Sequence, residues 1–76
     1  MAIVKKLKRI ALEVGTPHSV LKDCTYSIIV GDDGRKSLQI DSYGSANRKM
    51  PGKKSQSLRF SPEAIDQLRR ILSDEL

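Results

Sequence analysis

Two runs of alternating apolar and polar residues, joined by an Asp-Gly pair, limit the folds open to this chain. In the run CTYSIIV, Tyr26, Ile28 and Val30 fall on one side, as in a half-buried β-strand. The run SLQIDSY repeats the alternation with Leu38 and Ile40. Asp-Gly tolerates the positive φ angles of tight turns, so the intervening GDDGR predicts a hairpin. An antiparallel strand pair is therefore expected.

A third alternating run leads directly into a helix start. The run SQSLRF places Leu58 and Phe60 on the core side of a strand. Ser61 is a preferred N-cap residue, Pro62 suits the first helical position, and Glu63 complements the positive end of the helix dipole. The apolar residues that follow recur at helical spacing and predict a buried stripe, which consists of Ile65, Leu68, Ile71 and Leu72.

The first residues of the chain fit two structures. Ile3, Leu7 and Ile10 share one helical stripe, and Gly15 stands where a C-terminal cap belongs, which favours a helix over residues 3–14. A strand is the alternative, because Ile and Val are frequent in this segment.

Together these elements predict an α+β fold. It has a three- or four-stranded antiparallel sheet with a C-terminal helix packed on one face, plus an N-terminal helix or strand. The chain, residues 1–76, is expected to be one small domain. Its parts are a basic segment over 1–18, antiparallel strands over 19–60 and the helix over 61–76.

The length of 76 residues makes a single core marginal. Cys24 is the only cysteine, so the chain has no internal disulfide. Together with His18, the only histidine, Cys24 cannot complete a four-ligand zinc site. We therefore expect no metal and no cofactor, and we expect a homodimer, the commonest way to bury more surface.

The sequence predicts a cytoplasmic protein that does not cross a membrane. Lys8, Arg9 and Glu13 interrupt the apolar stretch that a secretory or membrane segment requires. A lone cysteine also fits a reducing compartment.

Catalytic patterns are weak. GKKS resembles the end of a phosphate-binding loop, but that motif needs a glycine where Asn47 stands and a hydroxyl residue where Lys54 stands. His18 and Cys24 are six residues apart in a segment interpreted as extended, so we do not expect a nucleophile–base pair. Cys24 is interpreted as a buried structural residue. The sequence therefore predicts no enzyme.

Positive charge is concentrated in one part of the chain. The formal net charge is +5, and residues 35–59 carry seven cations against one anion, Asp41. Such a cluster is typical of a surface that binds a polyanion. The simpler interpretation is a solvated basic face.

The predicted binding residues lie on this segment. Lysine and arginine bind phosphate through charge, hydroxyls and amides donate hydrogen bonds to it, and a tyrosine can stack on a base. Four cations surround one Pro-Gly bend, and the remaining residues lie on the solvent face of the predicted strands. The predicted site comprises Arg48, Lys49, Lys53, Lys54, Arg59, Tyr43, Gln39 and Ser57.

The order of these motifs resembles a known family. The run YSIIVGDDGRKSLQIDSYGSANRKMPGKKSQSLRFSPEAIDQLRRIL, residues 26–72, resembles the core of the positive cofactor four family of transcriptional coactivators. The chain also looks like small bacterial proteins of no stated function. The matching pieces are residues 27–30, 38–41, 51–54, 57–58 and 61–68.

The resemblance implies dimers formed through the helices, with strongly curved sheets that grip unpaired DNA. By position, Arg48 and Lys49 would belong to the loop above the groove. Lys53 and Lys54 would open the gripping strand, Arg59 would project from it, and Tyr43 would lie near an aromatic residue of the binding channel.

Two functions follow as hypotheses. The first is a homodimeric protein that grips single-stranded DNA or RNA in transcription regulation. The alternative is a protein-interaction module, such as a small regulator or inhibitor, whose basic face docks an acidic partner protein. Duplex binding by the basic N-terminal segment is a third possibility. Charge alone does not separate them, because each uses a basic patch.

Overall fold

The computed structural model describes residues 1–12, 15, 17–18, 20–21, 23–43 and 55–76. These residues form four strands and one helix. The strands are β1 (Ala2–Val4), β2 (Cys24–Val30), β3 (Lys36–Ser42) and β4 (Gln56–Phe60), and the helix is α1 (Pro62–Asp74). The strand order in the sheet is β1-β4-β3-β2, and the α+β prediction is confirmed.

The hairpin between β2 and β3 has the predicted turn. Gly34 has a φ of 79°, and its N–H donates to the carbonyl of Gly31 at 2.9 Å. The Gly31 N–H donates to the Arg35 carbonyl at 2.8 Å, and Asp33 Oδ1 accepts from the Arg35 N–H at 3.0 Å. The strands then pair antiparallel from Val30 with Lys36 onward. Local turn chemistry is therefore sufficient to account for this hairpin.

The start of α1 follows the predicted capping pattern. The Ala64 N–H donates to Ser61 Oγ at 3.2 Å, and Pro62 occupies the start of the helix. Glu63 Oε1 accepts from Arg35 Nη1 at 2.8 Å, which joins the helix to the hairpin turn. The pKa of Glu63 is lowered, first by a hydrogen bond from its own backbone N–H and then by those from Arg35 and Ser61.

The N-terminal segment begins with the strand β1, so the strand alternative is confirmed. The helix that the spacing favoured over residues 3–14 is wrong, since the described residues 5–12 are not helical. β1 pairs with β4 in parallel, with Ala2 opposite Leu58 and Val4 opposite Phe60. The parallel pairing makes the sheet mixed, whereas β2, β3 and β4 are antiparallel as predicted. The pairing satisfies backbone groups of β1 that an N-terminal helix would satisfy within itself.

The helix covers only part of the apolar sheet face. α1 contacts β3 and β4, whereas β2 is an edge strand beyond the helix. Ala64 is the only buried hydrophobic residue among those described, and none of the large side chains described is fully buried. Tyr26, Ile28 and Val30 of β2 remain exposed. A large apolar surface is therefore left without cover in the single chain.

Cys24 is exposed, so the interpretation of this residue as buried is wrong. It lies at the start of the edge strand β2, whereas α1 packs mainly on β3 and β4. Together with Ile40 and Leu58 it lines a groove of about 440 Å³ on the apolar side of the sheet.

The residues after β1 run along α1. The N–H of Leu7 donates to Gln67 Oε1 at 2.8 Å, and Gln67 Nε2 donates to the Leu7 carbonyl at 2.6 Å. Arg9 Nη1 forms an ion pair with Glu75 Oε1 at 3.1 Å. Within the part of the chain described, no helix has the length and apolar character needed to cross a membrane.

Candidate functional site

The side of the sheet opposite α1 carries mainly polar side chains. Alternation and register place Gln39 beside Arg59 and Asp41 beside Ser57 on neighbouring strands. Thr25 and Ser27 of β2 continue this side, since they pair with Asp41 and Gln39. We call this surface the polar face; its polar residues are Thr25, Ser27, Ser37, Gln39, Asp41, Ser57 and Arg59. Two apolar residues share it: Ile29, opposite Ser37, and Ile3, opposite Arg59. Three of these, Gln39, Ser57 and Arg59, belong to the predicted site.

Arg59 and Gln39 form the central contact of the polar face. Arg59 donates to Gln39 Oε1 from Nε at 3.0 Å and from Nη2 at 2.6 Å. Both residues are half-buried. The guanidinium is therefore held along one edge of its fork. Its remaining N–H groups, on Nη1 and on Nη2, have no hydrogen-bond partner among the described residues.

Asp41 lies next to this pair and was not part of the predicted site. Its two carboxylate oxygens accept from Gln39 Nε2 at 3.2 and 3.0 Å. The residue is only 2% exposed, although it carries a charge. The sequence did contain a signal, because Gln39 and Asp41 are two residues apart on one predicted face, and Asp41 is the only anion among the seven cations of residues 35–59.

Tyr43 follows the end of β3 and reaches back over the neighbouring strand. Its hydroxyl forms a hydrogen bond with Thr25 Oγ1 at 2.8 Å, and the residue is half-buried. Thr25 pairs with Asp41, so this contact belongs to the polar face. The tyrosine ring is thus anchored at its hydroxyl end rather than extended into solvent.

A shallow groove runs beside Arg59 toward the β1 edge of the sheet. Its volume is about 290 Å³. It is lined by Met1, Ala2, Ile3, Gln39, Ser57 and Arg59. The groove therefore combines one arginine, one amide and one hydroxyl with an apolar wall from the N-terminal strand. These are the chemical groups that contact a phosphate and the adjacent sugar or base.

The four cations of the Pro-Gly bend lie outside the described residues: Arg48, Lys49, Lys53 and Lys54. The described chain resumes at Ser55, whose N–H donates to the carbonyl of Ser42 at 2.6 Å. Ser42 and Ser55 mark the two ends of the connection between β3 and β4. The sheet therefore fixes the two ends of the connection that carries these four cations.

Among the described residues, no group of three or more His, Cys, Asp or Glu side chains is placed to hold a metal ion. Comparisons with protein-family models, with curated proteins and with solved structures give no match to this chain.

Proposed function

We propose that this protein is a small homodimer that grips single-stranded DNA or RNA with the polar face and with the cations of the connection between β3 and β4. It acts by binding rather than by catalysis. The observation that carries the proposal is the polar face itself. Gln39, Ser57 and Arg59, which the sequence predicted to share one face of the strands, lie next to one another on neighbouring strands and line one groove.

Charge supports a polyanionic ligand for this surface. The connection that carries the cations of the Pro-Gly bend begins after Ser42, the last residue of β3, and ends at Ser55, directly before β4. These are the strands that carry Gln39 and Arg59. Residues 35–59 have a net charge of +6, although Asp41 lies within them. Cations beside a face of hydroxyls and amides can neutralise phosphates while the face positions the backbone.

Tyr43 supports a single strand rather than a duplex. An unpaired base can stack on an aromatic ring, whereas the bases of a duplex are already stacked on one another. The bond between Tyr43 and Thr25 holds the ring near the polar face before any ligand arrives, which lowers the ordering cost of binding. The resemblance to the positive cofactor four family points to the same ligand and to transcription regulation.

The uncovered apolar surface supports the homodimer. Tyr26, Ile28 and Val30 are 74%, 55% and 62% exposed along the edge strand β2. Apolar side chains that follow one another along a strand are more favourable when a partner covers them. A second copy of this chain is always present at the same concentration. In a twofold dimer the same surface of each chain contacts the other, so no further copies are added.

We place the protein in the cytoplasm. Cys24 is unpaired and exposed on the edge strand, and a free exposed thiol persists best in a reducing compartment.

The decisive experiment is a titration of a labelled single-stranded oligonucleotide and of its duplex with the purified chain. We expect tighter binding of the single strand. If Arg48, Lys49, Lys53, Lys54 and Arg59 each neutralise one phosphate, log K should fall with log salt at a slope of about −3.5. Raising the salt from about 50 to about 200 mM would then cost about a hundredfold in affinity.

Two double variants locate the site. Lys53→Ala with Lys54→Ala should flatten the slope by about 1.4, since each lost phosphate contact removes about 0.7. Lys5→Ala with Lys6→Ala removes the same charge from the N-terminal segment and should have the smaller effect. The reverse order would move the site to that segment. Absence of binding at low salt would overturn the proposal in favour of an acidic protein partner.

A further inference from the structure

We infer that Asp41 and Gln39 are positioning residues, which hold Arg59 so that the outer edge of its guanidinium receives a backbone phosphate of the bound strand. The inference rests on the function proposed above and assigns a role to Asp41, the buried anion of the polar face. It also changes the expected role of Gln39 from a direct contact to a support.

The hydrogen bonds give the Gln39 amide one orientation. Its oxygen faces two N–H donors of Arg59, and its nitrogen faces two carboxylate oxygens of Asp41. A flipped amide would point N–H groups at the guanidinium and its oxygen at the carboxylate, and both contacts would be repulsive. The two accepted bonds also fill the lone pairs of Gln39 Oε1. Gln39 Oε1 therefore binds Arg59 and has no lone pair left for a ligand.

The same bonds leave Arg59 with one usable edge. Nε and one N–H of Nη2 point to Gln39. The outer edge, formed by Nη1 and the second N–H of Nη2, is the geometry that binds a phosphate in bidentate fashion. Arg59 lines the groove beside β1 together with Ser57, whose hydroxyl can donate to the same phosphate.

The burial of Asp41 explains why this support is rigid. A carboxylate that is 2% exposed is held in place by its surroundings and cannot swing into solvent. On charge alone, an anion beneath a polyanion-binding surface lowers affinity. If Asp41 positions Arg59, removal of its carboxylate should instead weaken binding. The direction of the change in affinity therefore separates the two effects.

The test is a double-mutant cycle on single-strand affinity, read by fluorescence anisotropy with the full chain. Arg59→Lys keeps the charge but loses the planar fork, and we expect about tenfold weaker binding with an unchanged salt slope, a loss of about 1.4 kcal/mol. Gln39→Met keeps the volume and removes the amide. In the wild-type background it should weaken binding by about three- to tenfold, a coupling typical of residues in one hydrogen-bond network.

In the Arg59→Lys background, Gln39→Met should have almost no further effect, because the geometry it supports is already lost. Equal effects in both backgrounds would mean that Gln39 contacts the strand directly, and no effect in either would remove its role. Both results overturn the inference. Thermal melts of each variant show that the change is not one of folding.

Asp41→Asn supplies the second arm. Its side chain is nearly isosteric but has no charge, so a purely electrostatic role predicts tighter binding, whereas positioning predicts weaker binding. Tighter binding overturns the inference. If Asp41→Asn does not fold, the Gln39 cycle decides alone. If the wild type binds no oligonucleotide, the proposed function fails and this inference fails with it; if the wild type binds without coupling, only the inference fails.

Discussion

Gln67 of α1 forms hydrogen bonds to both backbone polar groups of Leu7, a residue 60 positions earlier in the chain. Its Oε1 accepts from the Leu7 N–H at 2.8 Å, and its Nε2 donates to the Leu7 carbonyl at 2.6 Å. The side chain thus replaces the neighbouring strand that an extended segment would otherwise need. This contact, rather than helix formation, accounts for the path of the chain after β1.

Gln67→Met should release that segment. The substitution keeps the side-chain length but removes two part-buried hydrogen bonds, which contribute about 1 kcal/mol each. We expect a loss of about 1–3 kcal/mol in the free energy of unfolding by urea, with faster hydrogen exchange at the Leu7 N–H. Gln56→Met, at an exposed strand position, is the matched control and should change stability by less than about 0.5 kcal/mol. Equal losses in the two variants would contradict this account.

The turn at Gly34 allows a test of how backbone strain alone affects stability, without any change in side-chain packing. Gly34 has a φ of 79°, and a Cβ built there meets nothing within 4 Å. Gly34→Ala should therefore destabilise the fold by about 1–2 kcal/mol through strain alone. A Cβ at Gly15 also meets nothing, and Gly15 has no positive φ. Gly15→Ala should leave the thermal midpoint unchanged or slightly raised, and a comparable drop in both variants would refute the explanation.

The hydrogen bonds of Glu63, first from its own backbone N–H and then with Arg35 and Ser61, predict a pH dependence of stability. The pKa of Glu63 is lowered in the folded chain, so the unfolded chain binds this proton more readily than the folded one. The contribution is therefore fully present above the ordinary glutamate pKa of about 4.3 and is lost as the pH falls through the lower folded value. Glu63→Gln should reduce the urea midpoint at pH 7 but have little effect in strong acid. Both side chains are exposed, so the difference should be small. A constant difference across the titration would rule out this origin.

Variants of Tyr43 distinguish the contribution of base stacking to affinity from the contribution of charge. Tyr43→Ala should lower single-strand affinity by about 1–3 kcal/mol at every salt concentration, because stacking releases no counterions. Tyr43→Phe keeps the ring but loses the bond to Thr25, and Thr25→Val removes the same bond from the other side. These two variants should bind alike, with a much smaller loss. If Tyr43→Ala binds as the wild type does, the tyrosine only closes the end of β3.

The proposed dimer can be located with two matched positions. Ile28 on the sheet is 55% exposed and Leu72 on α1 is 54% exposed, so a lysine at either costs the single chain a similar amount. We expect sedimentation at micromolar concentration to give a dimer for the wild type. Ile28→Lys should shift it to monomer if the uncovered sheet forms the interface, and Leu72→Lys should do so if the helices form it. A wild-type monomer with a cooperative melt would eliminate the dimer.

Several elements could be predicted because their causes are local. The Asp-Gly turn requires only that Gly34 adopt a positive φ, and the start of α1 requires only that Ser61 accept from the Ala64 N–H. Strand alternation likewise predicted that Ser57 and Arg59 lie on one side of β4, because successive side chains of a strand point to opposite sides. These relationships span a few residues along the chain.

The remaining features depend on residues far apart in sequence. Ile3 and Val4 fit a helix or a strand, and only the parallel pairing of β1 with β4 decides between them. Cys24 and Ile28 have the apolar character of a core, but α1 packs mainly on β3 and β4 and these residues of the edge strand are exposed.

The candidate site divides in the same way. Its residue types and its charge belong to the amino-acid sequence alone, as does the resemblance that they carry. The orientation of Arg59 does not, because it depends on the Gln39 amide, which depends in turn on the buried carboxylate of Asp41. A hydrogen-bond direction arises only when β3 and β4 are paired in register, so tertiary structure alone decided which edge of the arginine faces a ligand.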